Sequence, residues 1–196
     1  MKSKLILIGG GGHCRSCIDV IESTQQYLIH GILDPNLKEN DTVLNYPILG
    51  NDELIVEYTK KNFSFLITLG QIKSASIRKK IFEKLVFYNS KIATIISNRA
   101  YVSQHATINE GTIVMHDALV NANAWIGKNC IINTKALIEH DVRVHDHCHI
   151  STGAIVNGGV TIHDETFYGS SSVSKEYVSI SANSFIKANS TIKENQ

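Results

Sequence analysis

The chain has 196 residues, 43% apolar and 19% charged, with a formal net charge of +1, a globular mixture able to bury a core in one ordinary domain or two small ones. A charge so close to zero sets up no basic field for nucleic acid and no acidic field for cationic partners, so binding has to come from local sites, and a small neutral or anionic ligand fits best. The opening MKSKLILIGGGG has only a short apolar run before its glycines, too short for a signal-peptide core or a membrane span, which reads as a cytoplasmic protein with no membrane insertion.

In chain order, the apolar run at residues 4 to 8 ends in Gly9-Gly10-Gly11-Gly12-His13 and gives way to a helical pattern with Ile18, Val20 and Ile21 on one side. That is strand, tight turn, helix. A second apolar run, Leu28 to Leu33, ends in Asp34-Pro35, and a third, Phe65 to Leu69, ends in Gly70. SASIRKKIFEKLVF, Ser74 to Phe87, reads as an amphipathic helix opened by serine. Strands alternating with helices predict a small Rossmann-like α/β domain over residues 1–92.

Glycines at a strand-to-helix turn let backbone N–H groups approach phosphate oxygens, and the helix N-terminus adds a favourable potential. Gly10, Gly11, Gly12 and His13 therefore form a candidate anion cradle, with Asp34 about twenty residues on, where a ribose or base contact would sit. The dinucleotide spacing GxGxxG is matched only in part, because counting from Gly9 places Cys14 at the third glycine. The reading is a nucleotide or nucleotide-sugar site, against a full dinucleotide site or a purely structural turn. Cys14 and Cys17 make a CxxC without the aromatic and proline context of a redox dithiol, and read as two small residues facing the sheet. Cys130 and Cys148 stand alone.

From residue 102 one period runs without interruption. Every sixth residue is Val or Ile from Val102 to Ile192, broken only by Tyr168 and Ser174. Four residues after these positions comes a small or β-branched residue, as at Ala106, Thr112, Ala118, Ala124, Cys130 and Ala136. This is a hexapeptide β-helix, three short strands to a coil, over residues 93–196. Side chains alternate across a strand, so the small residue and the aliphatic two places later point inward and the one between points out. The outward positions sort into three faces: Ile113, Ile131, His149, Phe167 and Phe185; Leu119, Leu137, Ile155 and Val173; and Trp125, Arg143, Thr161 and Ser179. The first two are apolar rows on an already filled prism. They predict covered faces and a closed ring of subunits, a homotrimer.

The stretch TKALIEHDVRVHDHCHIS, residues 134–151, holds His140, His145, His147 and His149. The register separates them: His140 falls at a corner with Asp141 beside it, His149 on the first apolar face, and His145 and His147 flank the next corner. His145, His147 and His163 read as ordinary polar-surface histidines. One coil further on, Gly158 stacks beside His140. A base next to a bare peptide N–H suits acyl transfer, the one accepting a proton from the nucleophile and the other steadying the oxyanion.

On GGGGH followed by DVIE (Asp19 to Glu22), on LGQIKSASIRKKIF near residue 70 and on INTKALIEHDVRVHDHCHISTGAIVNGGVTI, nearly the whole chain resembles the bacterial sugar acetyltransferases. That family includes the sialic acid O-acetyltransferases and the N-acetyltransferases of nucleotide-linked 4-amino sugars in glycan biosynthesis. The resemblance implies a left-handed parallel β-helix, a homotrimer with sites between subunits, acetyl-coenzyme A as co-substrate, and no metal. It implies His140 as general base, Asp141 as its acidic partner, His149 as an acetyl-coenzyme A contact and Gly158 as the amide near the thioester carbonyl. Gly10 to His13 and Asp34 would hold the nucleotide part of the sugar. Two stretches depart from the family: the chain finishes on IKANSTIKENQ without the usual glycine-and-proline loop, and YGSSSVSKEYVSIS stands where GAGAVV-like coils are common. O-acetylation of a sialic-acid-like sugar, and an inactive sugar-nucleotide binding protein, are alternatives on the same fold. From another class, His105, His140 and His145 approximate the zinc spacing of β-helical carbonic anhydrases, which need three converging nitrogens; His105 lies one step short of a whole number of coils from His140.

Overall fold

A computed structural model describes residues 2–196 and divides into two compact units, one reaching to Gly70 and including Arg78–Ala93, the other made of Gln71–Ile77 and Thr94–Gln196. The short stretch 71–77 thus belongs with the second unit, which a single cut between 92 and 93 does not anticipate.

In the first unit, β1 (Ser3–Ile8), β2 (Tyr27–Leu33), β3 (Thr42–Val43), β4 (Tyr46–Gly50), β5 (Ser64–Ile67) and β6 (Lys91–Ile92) form one sheet in the order β3-β4-β2-β1-β5-β6. All neighbours are parallel except β3 and β4. Helices α1 (Gly12–Thr24), α2 (Ile55–Lys60) and α3 (Ser76–Phe87) connect the strands. The chain leaves β1 first to β2 on one side and later reaches β5 on the other, so the carboxyl end of β1 is the switch point where such sheets place a ligand. The glycine run follows β1 directly. Strands β1 and β5 read as unbroken apolar runs because both sheet faces are covered: Leu5, Leu7, Phe65 and Leu66 are buried completely. Helix α3 starts at Ser76 rather than Ser74, whose Oγ accepts from the Ser76 N–H at 3.1 Å and so serves the helix entry from outside it.

The second unit is a left-handed parallel β-helix of two-residue strands, from Ile95–Ile96 to Thr191–Ile192, stacked into three parallel sheets. Partners are eighteen residues apart, as in Ile113 with Ile131 and His149, Leu119 with Leu137 and Ile155, and Trp125 with Arg143 and Thr161. These are the three faces read from the sequence. The inward Val and Ile rows make one continuous core. The two breaks in the Val/Ile rule compensate each other: the buried Tyr168 ring has its O–H donating to Ile155 O at 3.1 Å, and small Ser174 makes room on the same coil, its Oγ accepting from Asn157 N–H at 3.0 Å.

Each corner carries one residue in the left-handed region, at every sixth position from Gly111 to Asn189. Asn, Asp and Gly tolerate that geometry and fill most of these corners, Asn123, Asp141 and Gly159 among them.

Candidate active site on the β-helix and candidate anion cradle

His140 and Asp141 occupy one corner and Gly158 and Gly159 the corner stacked on it, with the Gly159 N–H donating to His140 O at 3.0 Å. The imidazole leans over Gly158: a Cβ there would lie 2.8 Å from His140 Cε1 and 2.9 Å from Nε2. Glycine is what lets the ring lie this close. Among the described residues the Gly158 N–H has no acceptor, whereas the matching amides of Ala122 and His140 turn to Asn121 Oδ1 at 2.7 Å and Glu139 Oε2 at 3.3 Å.

The His140 Nδ1–H donates to Asp141 Oδ2 at 2.8 Å. A carboxylate only accepts, so this bond fixes the proton on Nδ1 and leaves the Nε2 lone pair outward. The hydrogen bond to Asp141, and then the Asp141 charge, hold the imidazole above its ordinary value of 6.5. Asp141 is in turn oriented from the previous coil: Asn123 Nδ2 donates to its Oδ1 at 2.6 Å. That amide first, and His140 second, keep the Asp141 carboxyl below its usual range. In a single chain the His140 and Asp141 side chains are 54% and 52% exposed.

His149 lies on the covered face, 7% exposed, with both ring nitrogens engaged. Its Nδ1–H donates to Gln71 O at 2.6 Å, and Asn133 Nδ2 lies 3.0 Å from Nε2. Thr134 N–H holds Asn133 Oδ1 at 2.8 Å, so the amide must donate and Nε2 must accept. His149 is thereby fixed, with both ring nitrogens occupied within the chain. Gln71 Nε2 donates to His147 O at 3.0 Å, while its buried Oε1 has no hydrogen-bond partner among the described residues.

The other histidines do not converge. His145 stacks on His163 with centroids 5.0 Å apart and takes the Trp125 edge at 5.8 Å. His147 Nδ1 faces Asn129 Nδ2 at 2.9 Å, and His105 sits beside Gln104. No group of three His, Cys, Asp or Glu among the described residues could share a metal ion, so the zinc arrangement of His105, His140 and His145 is not formed. Cys14 and Cys17 are wholly buried, and burial pushes both thiols up, Cys14 to about 11. Buried thiols held protonated in this way lack the accessible thiolate a redox pair needs. Cys130 and Cys148 point into the prism, with each Sγ 3.1 Å from a carbonyl, His145 O and His163 O.

In the first unit the glycine run is held from two sides. Gly9, at φ +105, donates to Leu33 O at 2.9 Å, and a Cβ there would sit 2.5 Å from Leu69 Cδ2. Asp34 Oδ2 accepts from Gly10 N–H at 2.7 Å and Oδ1 from Asn36 N–H at 2.8 Å. The Gly10 amide is thereby committed to Asp34 rather than to a ligand. Gly11 caps α1 and Gly12 begins it, and around each a Cβ would meet nothing within 4 Å. The open part of the cradle is therefore Gly11, Gly12 and the half-buried His13.

No motif in the sequence marks Asn123 or Asn133, although the eighteen-residue step from Asp141 leads to Asn123. Gln71 lies outside the repeat and gives no such signal.

On a hexapeptide β-helix, an imidazole held beside an amide without an acceptor is an arrangement suited to acyl transfer. Residues 4–85 match the family model of the PglD N-terminal domain. No curated protein sequence matches the chain. Among solved structures, the acetyltransferase domain of PglB from Neisseria gonorrhoeae FA1090 is similar with TM-score 0.92 at 26% identity, covering 99% of this chain and 93% of that one. The same domain in complex with acetyl coenzyme A gives 0.89 at 25% identity, covering 98% and 93%. A variant of GDP-perosamine N-acetyl transferase from Caulobacter crescentus, in complex with CoA and GDP-perosamine, gives 0.91 at 24% identity, covering 98% and 90%. Over nearly its whole length the chain is thus similar in fold to bacterial sugar acetyltransferases, and its first unit to the PglD N-terminal domain.

Proposed function

We propose that this protein transfers the acetyl group of acetyl-coenzyme A to the amino group of a nucleotide-linked amino sugar, working as a homotrimer in the cytoplasm. The observation that carries the reading is the His140 ring lying over Gly158 with its Nδ1–H on Asp141. The sugar nitrogen attacks the thioester carbonyl carbon and gives its proton to His140 Nε2. The carbonyl oxygen, negative in the tetrahedral intermediate, accepts from the Gly158 N–H. Collapse breaks the C–S bond and expels the coenzyme A thiolate, and the imidazolium, which Asp141 has stabilised meanwhile, gives up its proton to solvent. No residue is acylated.

The PglB domain and the perosamine enzyme, by their names, are acetyltransferases, and the latter was seen with a nucleotide amino sugar; this supports the substrate class. The Gly11–Gly12 start of α1 suits a nucleotide phosphate, with Asp34 holding the loop. Leu119, Leu137, Ile155 and Val173 remain only half-buried in the single chain, an apolar row that neighbouring subunits would cover. No described helix is long and apolar enough to cross a membrane.

The test is thiol release from acetyl-coenzyme A on incubation with a panel of nucleotide-linked 4-amino sugars, with product mass recorded. Release with at least one amino sugar and formation of its N-acetyl product is expected. Acetylation of a sialic-acid-like hydroxyl sugar alone would move the assignment to O-transfer, and no release with any acceptor would refute acetyl transfer.

A further inference from the structure

The corner one coil beyond Gly158 and Gly159 holds Tyr177, whose N–H donates to Gly158 O at 3.0 Å. Its φ is +57, a conformation that bulky side chains adopt only at a cost. The residue is 77% exposed, so the ring fills no core. Yet its position is defined: a Cβ on Gly159 would collide with Tyr177 Cδ1 and Cε1, so that edge of the ring rests close against Gly159 while most of the ring stays exposed. Gly158 and Gly159 are thus bracketed by two rings, the His140 imidazole from the preceding coil and the Tyr177 phenol from the following one. Lys135, His147, Glu165 and Ser171 also stand at such corners, but Tyr177 leaves a large ring exposed there, where Asn, Asp or Gly would sit with less strain.

Resting on the acetyl-transfer reading, the order of groups along the helix axis says what this ring faces. The attacking nitrogen has to meet His140 Nε2 on the first coil, and the carbonyl oxygen meets the Gly158 amide on the second. The sulfur departs on the side of the carbonyl carbon away from the nitrogen and its base, which leads to the third coil and its open ring. We propose that Tyr177 is a donor-positioning residue, a platform on which the sulfur and first methylenes of the coenzyme A thiol arm lie. Sulfur over an aromatic ring is a favourable contact, and it orients the thioester toward Gly158.

The experiment compares the full-length protein with Tyr177→Asn and Tyr177→Phe, measuring coenzyme A affinity by calorimetry, KM for both substrates, and thermal stability. Asn is at home in the left-handed corner, so Tm should hold or rise. Coenzyme A binding should nonetheless weaken about tenfold, with a matching rise in KM for acetyl-coenzyme A, an unchanged KM for the amino sugar and near-normal behaviour of Tyr177→Phe. Unchanged coenzyme A affinity in Tyr177→Asn, or a KM change confined to the amino sugar, would overturn the assignment while leaving acetyl transfer intact. Failure of the wild-type protein to bind coenzyme A would overturn both.

Discussion

The two units solve the problem of placing chemistry in opposite ways. In the β-helix a residue's position follows from counting: eighteen residues separate Asn123 from Asp141 and His140 from Gly158, and each pair meets across one coil. In the α/β unit nothing repeats. The glycine run owes its shape to Leu33, Asp34 and Leu69, which reach it from other parts of the sheet. The β-helix site is built by translation along an axis and the cradle by non-local clamps, so a substitution in the first should act on chemistry and one in the second on binding.

The largest effect is expected at His140. His140→Ala removes the base and should lower kcat/KM by about 10²- to 10⁴-fold with coenzyme A affinity retained by calorimetry. Asp141→Asn should cost about 10²-fold, because the imidazole loses the partner that fixes its tautomer, and it should also move the pH profile. The base works deprotonated and Asp141 raises its pKa, so wild-type kcat/KM should fall as pH drops through a value above 6.5. Without the carboxylate that acid limb should shift to lower pH. Gly158→Ala puts a methyl within 2.9 Å of the imidazole and should cost about 10²-fold through ring displacement; kcat is the quantity to follow.

The α/β unit should respond differently. Asp34→Ala frees the Gly10 amide and loosens the cradle, so KM for the nucleotide sugar should rise about tenfold with KM for acetyl-coenzyme A and the acid limb unchanged. A loss of kcat instead would break the division of labour between the units. The smallest effect is expected at Asn123: its loss leaves Asp141 paired with His140 but less well oriented, and Asn123→Ala should reduce kcat a few-fold.

How much of this the sequence reveals follows the same division. The three faces, the His140–Gly158 stacking and the covered position of His149 are legible because a period fixes which way every side chain points. The first apolar face shows the limit of that reading. Ile113 and Ile131 are already fully buried in one chain, and His149 is held by Gln71, a residue outside the repeat that no count from residue 102 reaches. In the first unit β4 and α2 are missed because YPILG and IVEYTK are too short to show a period and gain their order from packing. Asp34 illustrates the same point: its spacing marks it as belonging to the cradle, but only the fold shows both oxygens on backbone amides.

The central claim is that the Gly158 amide and the His140 imidazole act together on the thioester. The most direct measurement is a crystal structure of the His140→Ala variant with acetyl-coenzyme A and a nucleotide amino sugar, which slows turnover enough to trap both. The account predicts the thioester carbonyl oxygen about 2.7–3.1 Å from the Gly158 nitrogen, with the sugar amine facing the space left by the imidazole. A thioester seated away from Gly158, or an amine pointing away from residue 140, would contradict it.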